Sequence, residues 1–113
     1  MKFVIAIIQP DRLDIVLDAL TEEEINLVTV SDVMGRGRQK GVAEVYRSHV
    51  EPGNLLRKIK VEIAVSDNRV WQTVDAIVRG ARTGNIGDGK IFVLDLQECV
   101  RIRTGETGEQ AIA

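Results

Sequence analysis

The stretch KIKVEIAV, residues 58–65, carries the clearest secondary-structure signal in the chain. Its apolar side chains recur at every second position, which is the period of a β-strand. One face of this strand holds Ile59, Val61, Ile63 and Val65, and the other holds Lys58, Lys60, Glu62 and Ala64. The stretch therefore predicts a strand with one apolar face and one largely charged face.

A second strand is predicted near the N-terminus, where residues 2–9 read KFVIAIIQ and are stopped by Pro10. Alternate side chains place apolar residues on both of its faces. A strand of that kind is expected at the centre of a sheet, covered on both sides. Shorter strands are predicted over residues 27–34 and 90–96.

Two amphipathic helices separate these strands. The first begins at Pro10 and Asp11 and runs to the acidic residues 22–24, with apolar side chains at helical spacing. Ser66 or Asp67 is expected to cap the second helix. Its predicted apolar stripe is Val70, Trp71, Val74, Ile77 and Val78.

The order of elements is β-α-β-loop-β-α-β, which predicts one domain over residues 1–113. The predicted fold class is α+β: a ferredoxin-like βαββαβ antiparallel sheet with two helices on one face. Two helices leave the other face of that sheet uncovered. Because the first strand is apolar on both faces, we expect a second copy of the chain to cover it, so a homo-oligomer is predicted.

Composition narrows the class of protein. The chain has 113 residues, a net charge of -2 and one cysteine, Cys99. An intramolecular disulfide is impossible, and no overall charge favours nucleic acid or membrane. Because the N-terminal apolar run is too short for a membrane span, a cytoplasmic location is expected.

Three polar segments are candidates for binding chemistry. The first is GRGRQKG, residues 35–41, at the start of a predicted loop of roughly twenty residues. The second is TGNIGDGK, residues 83–90, and the third is the pair Arg101 and Arg103 on one side of a predicted extended segment, 100–103. Glycines allow backbone amides to approach a phosphate closely, and cations supply the opposite charge.

Each segment has a plainer interpretation. The first could be a solvated turn, the second a helix end followed by a tight turn, and the arginines could simply face solvent. Catalytic groupings are absent from the sequence pattern, since nothing pairs His49 with Cys99 as base and nucleophile. An RNA-recognition module and a small transfer enzyme share the order of elements, but the former needs aromatic side chains on its sheet.

These segments resemble the PII family of nitrogen and carbon signalling proteins. The matching segments are residues 29–41, 81–93 and 101–106, and the resemblance covers nearly the whole chain. It implies a homotrimer that catalyses nothing and binds ATP or ADP in the clefts between subunits. The implied nucleotide contacts are Thr29, Gly35, Gly37, Arg38, Glu62, Ala64, Gly87, Asp88, Gly89, Lys90, Arg101 and Arg103.

The resemblance also implies a second ligand, 2-oxoglutarate, bound together with Mg2+ and ATP. Gln39 matches the family's protein ligand for Mg2+, and Gln39, Lys58 and Gly87 match its 2-oxoglutarate contacts. Oxygen ligands of this kind suit a hard cation.

The long loop, residues about 37–55, resembles the family's T-loop, which docks on ammonium channels or on metabolic and signalling enzymes. Arg47 matches an arginine that contacts such targets. Uridylylated relatives carry a tyrosine five positions after the one matching Tyr46, whereas this chain has Glu51 there. The uridylylation tyrosine is therefore missing. The end of the chain, about 105–113, is predicted to be a flexible tail.

Overall fold

A computed structural model describes residues 1–37 and 55–113 of the chain. Its elements are β1 (Lys2–Ile8), α1 (Leu13–Glu22), β2 (Thr29–Gly35), β3 (Leu56–Val65), α2 (Val70–Ala81), β4 (Gly89–Asp95) and α3 (Glu109–Ile112). A turn of 3-10 helix precedes each long helix, at Pro10–Arg12 and Asp67–Arg69. The predicted strands and helices are all found. The strand ends differ by one or two residues, and the predicted helix starts fall at the 3-10 turns.

The four strands form one antiparallel sheet in the order β2-β3-β1-β4. β1 lies between β3 and β4: Ile5 is opposite Glu62 on one side and Phe92 on the other. Together with the two long helices, this arrangement confirms the predicted ferredoxin-like α+β fold. The central position of the doubly apolar strand is confirmed as well.

The hydrophobic core lies between the sheet and the two long helices. Val4, Ala6 and Ile8 of β1 contribute to it together with the odd-numbered residues of β3 from Ile59 to Val65. Val16 and Leu20 of α1 and Ala76 and Ile77 of α2 complete it, and all four are buried. The alternation in residues 58–65 therefore identified the core face of β3 correctly.

The second face of the sheet carries Phe3, Ile5 and Ile7 of β1, all half-buried. Beside them on β4, Phe92 and Leu94 are 48% and 47% exposed. Neither α1 nor α2 packs on this face. Within the described part of the chain it remains a largely open apolar surface, which we call the open face.

The predicted apolar stripe of α2 was partly wrong. Trp71 is 69% exposed and Val78 is 41% exposed, whereas Thr73 and Ala76 are fully buried. The reason is a close contact between the two helices at Gly80: a Cβ built there would lie 2.7 Å from Cα of Val16. Small residues therefore define the buried side of α2, and its largest side chain points away.

The extended segment predicted over residues 100–103 was also wrong. Only Val100 makes a bridge, to Thr107, and the next residues form a turn. The turn closes through backbone bonds between Arg101 and both Gly105 and Glu106. Gly105 has φ 75°, a conformation that ordinary residues rarely adopt, and this is what reverses the chain. Residues 105–113, predicted as a tail, include helix α3.

Candidate functional site

The glycine-rich loop between α2 and β4 is organised by the side chain of Asp88. Its carboxylate accepts hydrogen bonds from the backbone amides of Thr83 and Gly84, at 2.8 and 2.9 Å, and from the Thr83 hydroxyl. Partial desolvation opposes ionisation, but these bonds prevail and lower the pKa of Asp88. With its oxygens engaged inside the loop, Asp88 shapes the loop and does not point a negative charge outward.

Backbone geometry in this loop requires glycine at two of the predicted contacts. Gly87 and Gly89 have φ values of 104° and 107°. A Cβ at Gly89 would lie 1.8 Å from the carbonyl oxygen of Ile7, because β1 passes directly behind the loop. Gln9, at the end of β1, donates a hydrogen bond of 2.6 Å to the carbonyl oxygen of Gly87. The loop is thereby fixed against the end of the sheet.

Lysines gather on the open face near this loop. Lys60 of β3 and Lys90 of β4 both lie opposite Ile7, one on each side of it. Lys58 lies two residues from Lys60 on the same face and is buried, with 7% exposure. A Cβ built at Gly35 would come within 3.4 Å of Cγ of Lys58. Gly35 therefore lies against the stem of this lysine.

The predicted contacts Thr29, Glu62 and Ala64 lie together on β2 and β3. Thr29 is opposite Glu62 in the ladder. All three line a cavity of about 460 Å3 on the open face, along with Phe3, Cys99 and Ile112. Cys99 is thus near the surface of this cavity and is not fully packed in a core.

The side chain of Arg101 is held by the C-terminal segment. Its guanidinium donates hydrogen bonds to Glu106 Oε1 at 2.7 Å, to the backbone oxygen of Gln110 at 3.0 Å and to the backbone oxygen of Ala113. Thr104 donates to the same Glu106 oxygen at 2.8 Å. Arg103, on the outside of the turn, is exposed. The two arginines therefore differ: one is engaged within the turn and α3, and the other faces solvent.

The remaining predicted residues belong to the long loop. Gly37 is exposed, and a Cβ there would meet nothing within 4 Å. Arg38, Gln39, Arg47 and the substituted uridylylation position at Glu51 lie outside the described residues.

The structure divides the described candidates between two places. The loop group, Gly87–Lys90, lies at the β4 edge, and the strand group, Thr29, Glu62 and Ala64, lies at β2 and β3. Three strand spacings separate the two edge strands, or about 14 Å. The groups are also offset along the strand direction. Followed across the sheet, Gly89 of the loop group is in register with Asp32 of β2, three residues beyond Thr29 of the strand group. Thr29 is in register with Phe92 of β4. Within one chain, the loop group and the strand group therefore do not line a single pocket.

Sequence reasoning missed three residues that shape these groups: Gln9, Thr83 and Glu106. Gln9 is a polar residue at the end of a buried strand, and it is only 9% exposed. Thr83 precedes Asp88 by five positions, and Arg101 precedes Glu106 by five. A search for hydrogen-bonding partners across each predicted turn could have found the last two.

Among residues 1–37 and 55–113, no cluster of three or more histidine, cysteine or acidic side chains could hold a metal ion. Over the same ranges, no helix has the length and hydropathy needed to span a membrane.

The fold and these groups define a ferredoxin-like α+β protein with an ordered glycine loop at one edge of its sheet. A family model described as Nitrogen regulatory protein P-II matches residues 1–106. The chain belongs to the P-II family of nitrogen regulatory proteins. Members of this family are regulatory signal-transduction proteins that bind small effectors and regulate partner proteins, and they are not enzymes.

Individual relatives agree with this assignment. The chain is 52% identical to nitrogen regulatory protein GlnK1 of Methanosarcina mazei, over 99% of this chain and 97% of that one. It is 46% identical to nitrogen regulatory protein GlnK of Escherichia coli K12, over 99% and 100% of the two chains. The crystal structure of Arabidopsis thaliana PII bound to citrate has a TM-score of 0.81 and 40% identity, covering 98% of this chain and 88% of that one.

Proposed function

We propose that this protein is a homotrimeric adenylate sensor that binds ATP or ADP in clefts between subunits. With Mg2+ and ATP bound, it also binds 2-oxoglutarate, and it reports these ligands to cytoplasmic targets through its T-loop. The observation that carries the proposal is the division of the candidate contacts into two separate groups on one sheet. A second subunit can bring the loop group of one chain against the strand group of another.

The loop group suits the phosphates of a nucleotide. The carboxylate of Asp88 is engaged by Thr83 and Gly84. The positive charges at this end of the sheet are Arg82 in the loop, Lys90 on β4 and Lys60 on β3. Charge-assisted hydrogen bonds to phosphate contribute about 1.5–3 kcal/mol each. Arg38 and Arg103 would add to them.

The strand group suits the nucleoside end of the ligand. Thr29, Glu62 and Ala64 line a cavity of about 460 Å3 whose other lining residues include Phe3 and Leu27. Binding sites for small molecules commonly combine such an apolar lining with a few polar groups that fix orientation.

The open face supports assembly. Five apolar side chains of β1 and β4 lie on it, and α1 and α2 leave it uncovered. A contiguous apolar surface of this kind marks a protein interface. A closed ring of three chains would cover the face and create one nucleotide cleft at each junction.

The effector site is proposed beside Lys58, with Gln39 and Gly87 as further contacts and Gln39 as the protein ligand of Mg2+. Lys58 is 7% exposed and lies beside Gly35, so a cation is placed at the base of the long loop. That the related Arabidopsis thaliana PII has been crystallised bound to citrate, a small polycarboxylate, supports a site for such an anion.

The output is proposed to reside in the T-loop, with Arg47 as a target contact. Ammonium channels and enzymes of nitrogen or carbon metabolism are the target classes. Ligands would select among loop conformations, which requires that they bind those conformations unequally. Glu51 excludes uridylylation at its position, so the signal would depend on the ligands themselves.

Mixed trimers test whether the cleft is shared between subunits. Lys90→Ala removes a cation from the loop group, and Arg103→Ala removes one from the turn near the strand group. We expect each variant to bind ATP weakly alone. Coexpressing the two should restore tight binding in about one cleft in four, the fraction expected from random mixing in a closed ring.

The matched control coexpresses Lys90→Ala with Gly87→Ala, two changes in the same group, and should restore nothing. ATP binding is measured by calorimetry, and subunit mixing is verified by native mass spectrometry. If mixed trimers of Lys90→Ala and Arg103→Ala form but bind no better than either parent, the shared cleft is wrong.

A further inference from the structure

Arg101 has little capacity left for a phosphate in this structure. A guanidinium offers two edges for bidentate binding, one formed by Nε and Nη2 and the other by Nη1 and Nη2. Both edges use Nη2. That atom donates to the backbone oxygens of Gln110 and Ala113, so each of its two hydrogens has an acceptor. Bidentate binding of an anion on either edge therefore requires the backbone oxygens of Gln110 and Ala113 to move away from Arg101.

The same helix also sits on the cavity of the strand group. Ala111 and Ile112 of α3 line it together with Thr29, Glu62 and Ala64, and Ile112 is half-buried there. A ligand that reached both Arg101 and these strand residues would meet α3 at both points.

The segment before α3 is anchored independently of it. The amide of Gly108 donates to Glu98 Oε1 and to the carbonyl oxygen of Cys99, at 3.1 and 2.9 Å. Val100 bridges to Thr107. Gly108 itself has φ 70° and ψ -144°, a region open essentially to glycine alone. This residue therefore joins an anchored turn to a helix of four residues.

We propose that α3 is an intramolecular latch that competes with the nucleotide for Arg101 and for the strand-group cavity. This inference rests on the proposed function, because it concerns the same site. With the latch closed, the backbone oxygens of Gln110 and Ala113 accept hydrogen bonds from Arg101, and Ile112 covers part of the apolar lining of the strand-group cavity. Nucleotide binding replaces these contacts with phosphate and base, and α3 swings away about Gly108.

The latch lowers the apparent affinity for nucleotide, since only the fraction of chains with α3 released can bind fully. It also makes the position of α3 a readout of nucleotide occupancy. The Glu106–Arg101 ion pair lies within the anchored turn and can persist in both states, which would keep the arginine aimed at the cleft.

Two measurements on the 113-residue chain test the latch. The first is hydrogen exchange of the backbone amides of residues 109–113, by mass spectrometry, with and without saturating Mg-ATP. We expect ATP to raise deuterium uptake in this segment, because the helix is released. If α3 stayed closed over the bound nucleotide, the ligand would instead protect this segment and lower its deuterium uptake.

The second is calorimetric titration of Ile112→Ser with Mg-ATP. The change weakens the closed latch without touching Arg101, so we expect ATP to bind about three- to tenfold more tightly than to the unaltered protein. The control is Ile15→Ser, which changes an apolar residue, 44% exposed, on α1. Its affinity for ATP should match that of the unaltered protein.

The outcomes separate the latch from the proposed function. If ATP binds but uptake in residues 109–113 falls or stays constant, or if Ile112→Ser binds no more tightly, the latch is wrong and the nucleotide site stands. If ATP does not bind the unaltered protein at all, the proposed function fails and the latch fails with it.

Discussion

At the scale of single residues, Gly89 shows how closely the candidate loop is built against the sheet. Its φ of 107° favours glycine, and the Ile7 carbonyl oxygen occupies the space where a side chain would begin. The backbone of the loop therefore rests directly on β1. This contact sets where the amides of Gly87–Lys90 lie relative to the end of the sheet.

We expect Gly89→Ala to lower the free energy of unfolding by about 2–4 kcal/mol, from backbone strain and steric overlap together. Urea unfolding followed by circular dichroism measures this loss. Gly84→Ala is the matched control: φ is 90° there, but a Cβ would meet nothing within 4 Å. It should cost only about 1 kcal/mol. Equal losses in the two variants would contradict the role of the Ile7 contact.

The sequence predicted the chemistry of individual residues better than their partners. The spacing of glycines over 83–90 indicated a loop in which backbone amides are accessible, and the structure has φ above 70° at Gly84, Gly87 and Gly89. It did not reveal that Asp88 would turn inward to Thr83, or that Gln9 would reach Gly87. Such contacts depend on how distant segments meet, and a one-dimensional pattern does not contain that information.

At the scale of elements, α2 shows why helix periodicity alone predicted the buried face only in part: Val70 and Ile77 are buried, but Trp71 and Val78 are not. Val70, Trp71, Val74 and Ile77 have the spacing of an apolar stripe, yet the buried side is centred on Thr73, Ala76 and Gly80. Close packing against α1 demands small residues, and Gly80 meets the backbone of Val16. Because tryptophan is more hydrophobic than glycine, the sequence pattern placed Trp71 on the buried face of α2 and did not identify Gly80 as a contact.

Gly80→Ala tests this contact between helices. Alanine favours a helix by about 1 kcal/mol over glycine in an exposed position. Here its Cβ would lie 2.7 Å from Cα of Val16 and 3.0 Å from its backbone nitrogen, which side-chain rotation cannot relieve. We therefore expect a net loss of about 1–3 kcal/mol in the free energy of unfolding.

Thermal and urea unfolding measure the effect. Asp75→Ala, at an exposed position on the same helix, serves as the control and should be neutral or slightly stabilising. If Gly80→Ala proved as stable as the unaltered protein, the close approach of α1 and α2 at this point would be wrong.

The strands were predicted from the sequence more accurately than the buried face of α2. Residues 58–65 predicted both a strand and the face that it buries, because a period of two leaves only two choices. Residues 2–9 predicted a central strand, but they are apolar on both faces and so did not indicate which face packs on the helices. Antiparallel pairing then follows from the order of elements. The turn at residues 100–105 was missed because alternating residues, Val100 to Arg103, imitate a strand while Gly105 reverses the chain.

At the scale of the whole molecule, one chain holds two separate groups of candidate contacts and an open apolar face. The loop group lies at the β4 edge, and the strand group lies on β2 and β3, on the other side of β1. The sequence predicted both the residues of these groups and the need for another copy. It could not predict how the groups are divided, since that depends on strand order and register.

The most direct test of the account is calorimetric titration with Mg-ATP, followed by 2-oxoglutarate with and without that nucleotide. We expect ATP to bind, and 2-oxoglutarate to bind only when Mg-ATP is present, because Mg2+ and the phosphates complete its site. Binding of ATP without any 2-oxoglutarate binding would keep the adenylate sensor and remove its proposed effector. Failure to bind ATP at all would mean that the glycine loop is only a turn, and it would contradict the central claim.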